Sequence, residues 1–239
     1  MRSIGLSLVL GSFPLMDVMG ESVTISHLVN EQNIVLIKDS ESKYLLLPVQ
    51  ENAPEGKVNI VVNNELQLGQ NINVRLAREK VDYYVPLDLS AYQGKTISID
   101  VTGMPSSSLC WKEIKLSDTF DSSNRETYRP VYHHTPMYGW MNDPNGMFYK
   151  DGVYHLYFQY NPYGSMWGNM TWGHSTSTDL THWTYEGTAI VPDAWGAISV
   201  VLVLSIKIIL LVLEKELLSL LYICKIYSVG RYPVTKYGV

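Results

Sequence analysis

The residue of this chain best suited to covalent chemistry is Asp143, within the run Trp140-Met141-Asn142-Asp143-Pro144-Asn145-Gly146. Pro144 disfavours a helical backbone for the residue before it. The pair Asn145-Gly146 is a strong signal for a tight hairpin turn. We therefore predict that Asp143 lies just before a turn. A carboxylate at such a position either caps the turn or, beside suitable partners, serves as a nucleophile.

Aromatic side chains are concentrated around and after this run. Five of the six tryptophans lie in one stretch: Trp140, Trp167, Trp172, Trp183 and Trp195. Flat rings with a polar edge either pack in a core or line a site for the apolar faces of sugar rings. Composition alone does not separate these two uses.

Short strands must position the carboxylate. The turn Lys150-Asp151-Gly152 between Met147–Tyr149 and Val153–Tyr160 predicts a hairpin. Further strands are predicted around Met170–Thr176 and Trp183–Thr188. Alternation in the second hairpin strand predicts two faces, with Tyr154, Leu156 and Phe158 on one and His155, Tyr157 and Gln159 on the other. Four short antiparallel strands are typical of one propeller blade, whose innermost strand starts at a central pocket.

A separate module precedes this region. Residues 21–120 predict a small antiparallel sandwich with strands at Tyr44–Val49, Lys57–Val62, Asn71–Leu76, Tyr83–Leu87 and Thr96–Val101. The run 87–95 is similar to a phrase of jelly-roll carbohydrate-binding modules, so sugar binding and a purely structural role both stay open. The polar residues 121–127 are interpreted as a linker.

Three segments together carry a family resemblance. Trp140–Gly146, Phe158–Pro162 and Trp167–Trp183 match, in order and spacing, family 32 of the glycoside hydrolases, which contains invertases, inulinases, levanases and other β-fructosidases. The resemblance covers residues 128–198. It implies an all-β chain in which the sandwich, similar to a module of some bacterial members, precedes the first blade of a five-bladed propeller.

The resemblance also implies roles for five residues. Asp143 matches the nucleophile that attacks the anomeric carbon of a fructosyl unit. Asn142, Gln159 and Trp167 match residues that hold the fructose hydroxyls or pack against its face, and Trp140 lies at the pocket wall. The implied reaction is hydrolysis of β-fructosidic bonds in fructans or sucrose, without a cofactor. His174 and Asp179 lie in matching motifs, and we assign them no direct chemistry.

Composition bounds the partners. The formal charge of −5 gives no basic footprint for nucleic acid. Cys110 and Cys224 are far apart and lack the spacing of a zinc site or a disulfide framework. His133 and His134 are neighbours in an extended segment and point to opposite sides, so no metal pair is expected there.

The second half of the catalytic pattern is absent from the sequence. A retaining glycosidase needs two carboxyl groups about 5–5.5 Å apart. In the family the remaining roles fall to a glutamate followed by cysteine and to an aspartate in Arg-Asp-Pro, and neither phrase occurs here. We therefore expect a truncated, inactive enzyme. None of Asp151, Asp179, Glu186 and Asp193 is assigned as its acid.

The family pattern stops at Ile198. From Ser199 to Val239, 21 of 41 residues are Ile, Leu or Val, a composition foreign to the rest. Our hypothesis is a frameshift that makes 199–239 an out-of-frame tail. A membrane anchor at Ile198–Leu213 is the alternative, although this run contains Lys207 and is shorter than the roughly 20 residues that a span needs.

Residues 1–20 contain Arg2 and the apolar run Ile4–Leu10, which favour a secretory signal and hence export. Two other functions stay open: a carbohydrate-binding protein that does not cleave, and a related propeller glycosidase acting on arabinose or xylose polymers. Asn142 and the phrase 167–174 favour fructose. The sequence leaves the linkage, exo or endo action and oligomeric state undecided.

Overall fold

A computed structural model describes residues 12–18, 21–67, 71–122, 129, 130, 132–192, 200–206 and 217–223 of the chain. The segments 12–18, 200–206 and 217–223 are described by their backbone alone. Regular structure in the described residues is almost entirely β, which confirms the predicted fold class. The chain divides into two compact units, one holding the residues up to Ser122 together with Tyr163–Ser165, the other holding the rest.

The described residues of the first unit form ten strands and two short helical turns. The strands are β1 (Ser12–Val18), β2 (Glu21–His27), β3 (Gln32–Lys38), β4 (Tyr44–Val49), β5 (Gly56–Val62), β6 (Glu65–Leu66), β7 (Ile72–Val74), β8 (Tyr83–Asp88), β9 (Ile97–Thr102) and β10 (Lys115–Ser117). A 3₁₀ turn spans Ser90–Tyr92, and helix α1 spans Cys110–Glu113. One sheet has the order β1-β2-β3-β9-β5-β6 with β7 also on β5, and a second has the order β10-β4-β8.

The two sheets pack on one shared core. In β5, Val58, Ile60 and Val62 are buried and alternate with more exposed residues, because successive side chains of a strand point to opposite faces. Leu45 and Leu47 of the smaller sheet belong to the same buried cluster. Each such side chain contributes roughly 1.5–3 kcal/mol when fully buried. The predicted β-sandwich is therefore confirmed.

The five strands predicted for this unit are all present, Tyr44–Val49 with the predicted ends and the others with at least one end shifted by one or two residues. β1, β2, β3, β6 and β10 are absent from the named predictions. In β3 the continuous apolar run Ile34–Ile37 hides the alternation. The backbone of β1 pairs with β2 inside the segment interpreted as a leader. Arg2 and the run Ile4–Leu10 lie outside the described residues.

The second unit contains a four-stranded antiparallel sheet. Its strands are β11 (Trp140–Lys150), β12 (Val153–Asn161), β13 (Thr171–Ser177) and β14 (Thr184–Ile190), paired in chain order. The hairpin between β11 and β12 turns at Asp151 and Gly152, whose φ angles of 49° and 85° suit a tight primed turn. The predicted hairpin and the further strand pair are confirmed. That this sheet is a propeller blade stays a prediction.

The turn predicted at Asn145-Gly146 is wrong. Both residues lie inside β11, and Gly146 has a φ of 55°. The ladder to β12 continues on both sides of them with an irregularity between Asn145 and Phe148. A glycine with positive φ serves a β-bulge as well as a turn. Local sequence does not choose between these uses, and the pairing with β12 does.

The two faces of β12 have the predicted composition. Leu156, Phe158 and Tyr160 are buried in one cluster. Tyr138, Met141, Trp183 and Tyr185 pack against that cluster. Tyr160 donates a hydrogen bond from its hydroxyl to the Tyr138 carbonyl at 2.7 Å, which satisfies a buried polar group. The opposite face of β12 is therefore available for polar and aromatic residues.

Two further strands occur in the C-terminal segment. β15 (Val200–Ile206) and β16 (Leu217–Ile223) form an antiparallel pair. Within the part of the chain that the structure describes, no helix has the length and apolar character needed to span a membrane.

Gly173 gives the first testable prediction, because a Cβ at this position would overlap the Cε2 and Cζ atoms of the fully buried Phe158. We expect Gly173→Ala to lower the free energy of unfolding of the second unit by roughly 1–3 kcal/mol through overpacking. Unfolding in urea is monitored by hydrogen exchange in peptides from β12, and the midpoint gives the change in stability.

Gly168→Ala is the matched control for this substitution. A Cβ at Gly168 meets only Asn161 Nδ2 at 3.5 Å, an ordinary contact. We expect a change within about 0.5 kcal/mol. Equal midpoints for the two variants would show that Phe158 does not fix this packing.

Candidate functional site

The backbone around Asp143 is shaped by a mismatch in strand register. Met141 pairs with Tyr160 and Pro144 pairs with Phe158. Three steps along β11 therefore match two along β12. In such a β-bulge two residues oppose one on the partner strand, so Asn142 and Asp143 oppose Gln159. The structure brings together three of the five residues that the sequence assigns to the site.

Gln159 is the buried member of this group. It is 6% exposed and pairs on its other side with Trp172 of β13, which is fully buried. Asn142 and Asp143 are exposed. The bulge thus sets a solvent-accessible carboxylate and amide opposite a buried amide whose position is fixed from both neighbouring strands.

Asn145 holds the backbone of Asp143. Its Nδ2 donates to the Asp143 carbonyl at 3.0 Å. Short polar side chains that bond to nearby backbone groups stabilise irregular segments of this kind. From its sequence context Asn145 is predicted only to form a turn. Its hydrogen bond to the Asp143 carbonyl adds Asn145 to the residues that position the site.

The two tryptophans of the predicted site occupy different elements. Trp140 begins β11 and pairs with Asn161. Trp167 lies on the loop between β12 and β13 and is 66% exposed. The structure gives each indole a defined place, and the exposed ring of Trp167 is suited to contact a ligand rather than to fill a core.

A stack of four rings lies on the face of the sheet opposite the buried cluster of Leu156, Phe158 and Tyr160. It is not among the sequence-based predictions. Phe148 stacks on His155 at 4.4 Å between ring centroids, and His174 stacks on Tyr157 at 4.3 Å. His155 Nδ1 and His174 Nε2 share a hydrogen bond of 3.0 Å. The only signal in the sequence is the alternation that puts these residues on one face.

Burial lowers the pKa of His174, and the neighbouring His155 lowers it further, while Glu186 opposes the shift. Burial also lowers the pKa of His134. Both imidazoles are thus favoured in the neutral form. His174 is packed and hydrogen bonded within the sheet.

His133 and His134 have different neighbours. The His133 ring contacts Tyr132, whereas His134 is hydrogen bonded to Ser175 Oγ at 3.0 Å and packs against Phe158. Among the described residues, no group of three or more His, Cys, Asp and Glu is placed to hold a metal ion. Burial raises the pKa of the Cys110 thiol to about 12, which disfavours the reactive thiolate.

The other acidic residues of this region have local partners. Asp179 accepts hydrogen bonds from the backbone N–H groups of His182 and Thr181, and these bonds, with the His182 ring, hold its pKa well below the usual range. Glu186 accepts a bond from Thr176 at 2.6 Å. Asp151 forms the hairpin turn, and Asp193 lies outside the described residues.

An all-β chain that presents a carboxylate and amides at a strand bulge, and an exposed indole on a loop of the same sheet, has the elements of a carbohydrate-active protein. Family models agree. Residues 133–209 match "Glycosyl hydrolases family 32 N-terminal domain", and residues 29–132 match "Domain of unknown function (DUF4980)". Residues 133–209 are therefore similar to the N-terminal portion of the family 32 glycoside hydrolase domain. The match extends past Ile198, where the sequence analysis places the end of the family pattern.

Curated relatives of this segment include a levanase, an exo-inulinase and an acid β-fructofuranosidase. The chain is 54% identical over 83 residues to a levanase of Bacillus subtilis, covering 34% of this chain and 12% of the relative. It is 53% identical over 72 residues to the extracellular exo-inulinase of Aspergillus niger, covering 30% and 13%. An acid β-fructofuranosidase of Solanum lycopersicum is 47% identical over 96 residues, covering 40% and 14%. The chain thus matches about one eighth of the length of these proteins.

Two solved structures also match parts of this chain. The exo-inulinase of Aspergillus awamori is 43% identical, with 34% of this chain and 17% of that chain covered and a TM-score of 0.32. A family 32 glycoside hydrolase of Bifidobacterium adolescentis is 21% identical, with 73% and 31% covered and a TM-score of 0.36.

The lowered pKa values of His134 and His174 predict a pH dependence of stability. The unfolded chain binds protons near the ordinary histidine pKa of about 6.5, whereas the folded chain binds them only at lower pH. Stability of the second unit is therefore complete above that pH, falls as the pH drops from about 7.5 to about 5, and levels off once the folded imidazoles are protonated. Urea midpoints across this range measure the slope.

The variants His174→Gln and His134→Gln assign this slope to its residues. Each removes one imidazole with a lowered pKa, so each is expected to flatten the dependence, and the double variant more than either. Carboxylates with ordinary pKa values titrate below this range and do not contribute. An unchanged slope in the double variant would contradict the assignment.

Proposed function

We propose that the second unit supplies the nucleophile half of a site that cleaves β-fructosidic bonds in fructans or sucrose. The observation that carries the proposal is the two-against-one bulge that sets Asn142 and Asp143 opposite the buried Gln159. The family match and the fructosidase relatives support fructose over arabinose or xylose polymers.

In the proposed reaction the Asp143 carboxylate attacks the anomeric carbon of a fructosyl unit. The bond from that carbon to the leaving oxygen breaks, and an ester forms on Asp143 that water later hydrolyses. Asn142 and Gln159 offer amide donors and acceptors to the sugar hydroxyls. Trp140 and Trp167 offer indole surfaces to the apolar parts of the ring.

Protonation of the leaving oxygen requires a second carboxyl group. Asp179 and Glu186 already have local hydrogen-bond partners, and the sequence contains neither the Glu-Cys nor the Arg-Asp-Pro phrase. We therefore assign no acid/base residue in this chain. General acid catalysis contributes about 10²–10⁴ in rate, so the 239 residues alone are proposed to be inactive or nearly so on natural substrates.

The first test is hydrolysis of natural substrates. Purified 239-residue chain is incubated with sucrose, inulin and levan, and fructose release is measured by chromatography. We expect release no faster than for the Asp143→Asn variant, because the leaving oxygen is not protonated. Release that depends on Asp143 would show that an acid/base group is present after all.

The second test isolates the nucleophile by using a leaving group that needs little protonation. With β-fructofuranosyl fluoride, attack by Asp143 breaks the C–F bond and expels fluoride, leaving a fructosyl ester. We expect the chain to gain the mass of one fructosyl unit, on the peptide that contains Asp143, because the acid/base group that would speed hydrolysis of the ester is missing. Intact-protein and peptide mass spectrometry measure this.

Asp143→Asn is the matched control, since it keeps the size and exposure of the side chain and removes the charge. Asp151→Asn, in the hairpin turn of the same sheet, is a second control that is expected to label like the original chain. Labelling at any other residue, or none at all, would remove the basis for Asp143 as nucleophile. Calorimetric binding of fructo-oligosaccharides without labelling would favour a binding protein that does not cleave.

A further inference from the structure

The loop that carries Trp167 is fixed at its base by one buried side chain. Asn161, at the end of β12, is 5% exposed. Its Nδ2 donates to the Met166 carbonyl at 2.8 Å, next to Trp167 in the chain. An amide in this place links the last residue of a strand to the residue before the exposed indole.

A second amide closes the loop from its other end. Asn169 Nδ2 donates to Asn161 Oδ1 at 3.1 Å. Asn169 has a φ of 41°, in the left-handed region where asparagine is tolerated better than most residues. The hydrogen bond therefore holds a backbone conformation that is not favoured by itself.

Gly168 lies between these contacts. Its Cα approaches Asn161 closely enough that an added Cβ would stand 3.5 Å from Asn161 Nδ2. Thr171 is the first residue of β13, at the base of the loop. Its Oγ1 donates a hydrogen bond to the Tyr160 carbonyl at 2.8 Å. The nitrogen and the oxygen of the Asn161 side-chain amide are thus both hydrogen bonded to the short segment on either side of Trp167.

We propose that Asn161, paired with Asn169, is a positioning residue that sets the exposed indole of Trp167 for contact with the sugar. This inference rests on the proposed function, because it takes Trp167 as a sugar contact. Asn161 is 5% exposed, and the proposal assigns it no contact with the sugar. Loss of its donor is expected to free the indole while leaving the sheet, whose ladder and apolar face do not involve this side chain, intact.

The test uses the full chain with fluorotryptophan and the variant Asn161→Asp. Asp has the same shape and still accepts from Asn169, but it cannot donate to the Met166 carbonyl. We expect the fluorine resonance of Trp167, assigned by Trp167→Phe, to shift toward the motionally averaged position of an indole that is no longer held in one orientation. The resonances of Trp172 and Trp183 are expected to stay in place, which a general loss of folding would not allow.

Ligand binding gives the second reading. Calorimetry with a fructo-oligosaccharide is expected to show affinity reduced about tenfold by Asn161→Asp, close to the effect of Trp167→Ala. An unmoved Trp167 resonance, or full affinity where Trp167→Ala has lost it, would overturn the inference. If the unaltered chain binds no sugar, the proposed function fails at its binding step, and the resonance alone decides whether Asn161 fixes the loop.

Asn169→Gly keeps the test decisive if Asn161→Asp does not fold. Glycine adopts the left-handed backbone at no steric cost, so this variant removes the side-chain bond to Asn161 and keeps the backbone conformation accessible. A Trp167 resonance that shifts in the same direction supports the amide pair. A resonance identical to that of the original chain contradicts it.

Discussion

The register between β11 and β12 is the constraint on which the site depends. Two irregularities, one on each side of Pro144-Asn145, give β11 more residues than its partner over the same length. Pairing at both ends of the hairpin fixes the surplus, since Trp140 is opposite Asn161 and Lys150 is opposite Val153. A slip of one residue would move every side chain to the other face. The place of Asp143 is therefore a property of the whole hairpin.

The apolar face of the sheet stabilises that register. Phe158 and Tyr160 are fully buried, and Gly173 leaves the space that the Phe158 ring occupies. The same two residues of β12 flank Gln159, the residue opposite the bulge. Packing on one face consequently fixes an amide on the other. Fold stability and the geometry of the site are coupled through three consecutive residues of a single strand.

Sequence patterns predict five strands of the first unit and the four-stranded sheet of the second, because alternation and turn residues are local signals. They identify the correct turn at Asp151-Gly152 and an incorrect one at Asn145-Gly146, since both pairs tolerate positive φ and only the ladder distinguishes them. The hydrogen bond between His155 and His174 depends on residues 19 apart in sequence. Contacts of that kind follow from strand pairing and not from the composition of either strand.

A β-bulge is a suitable place for a nucleophilic carboxylate because it re-aims side chains while the strand stays in the sheet. Exposure of the Asp143 carboxylate is not sufficient for hydrolysis, because the leaving oxygen must also be protonated. The sheet supplies the first condition through its own pairing and apolar core. The second needs a carboxyl group from elsewhere in space. In the proposed function the nucleophile and the acid/base group therefore come from separate elements, and the register of one hairpin positions only the first of them.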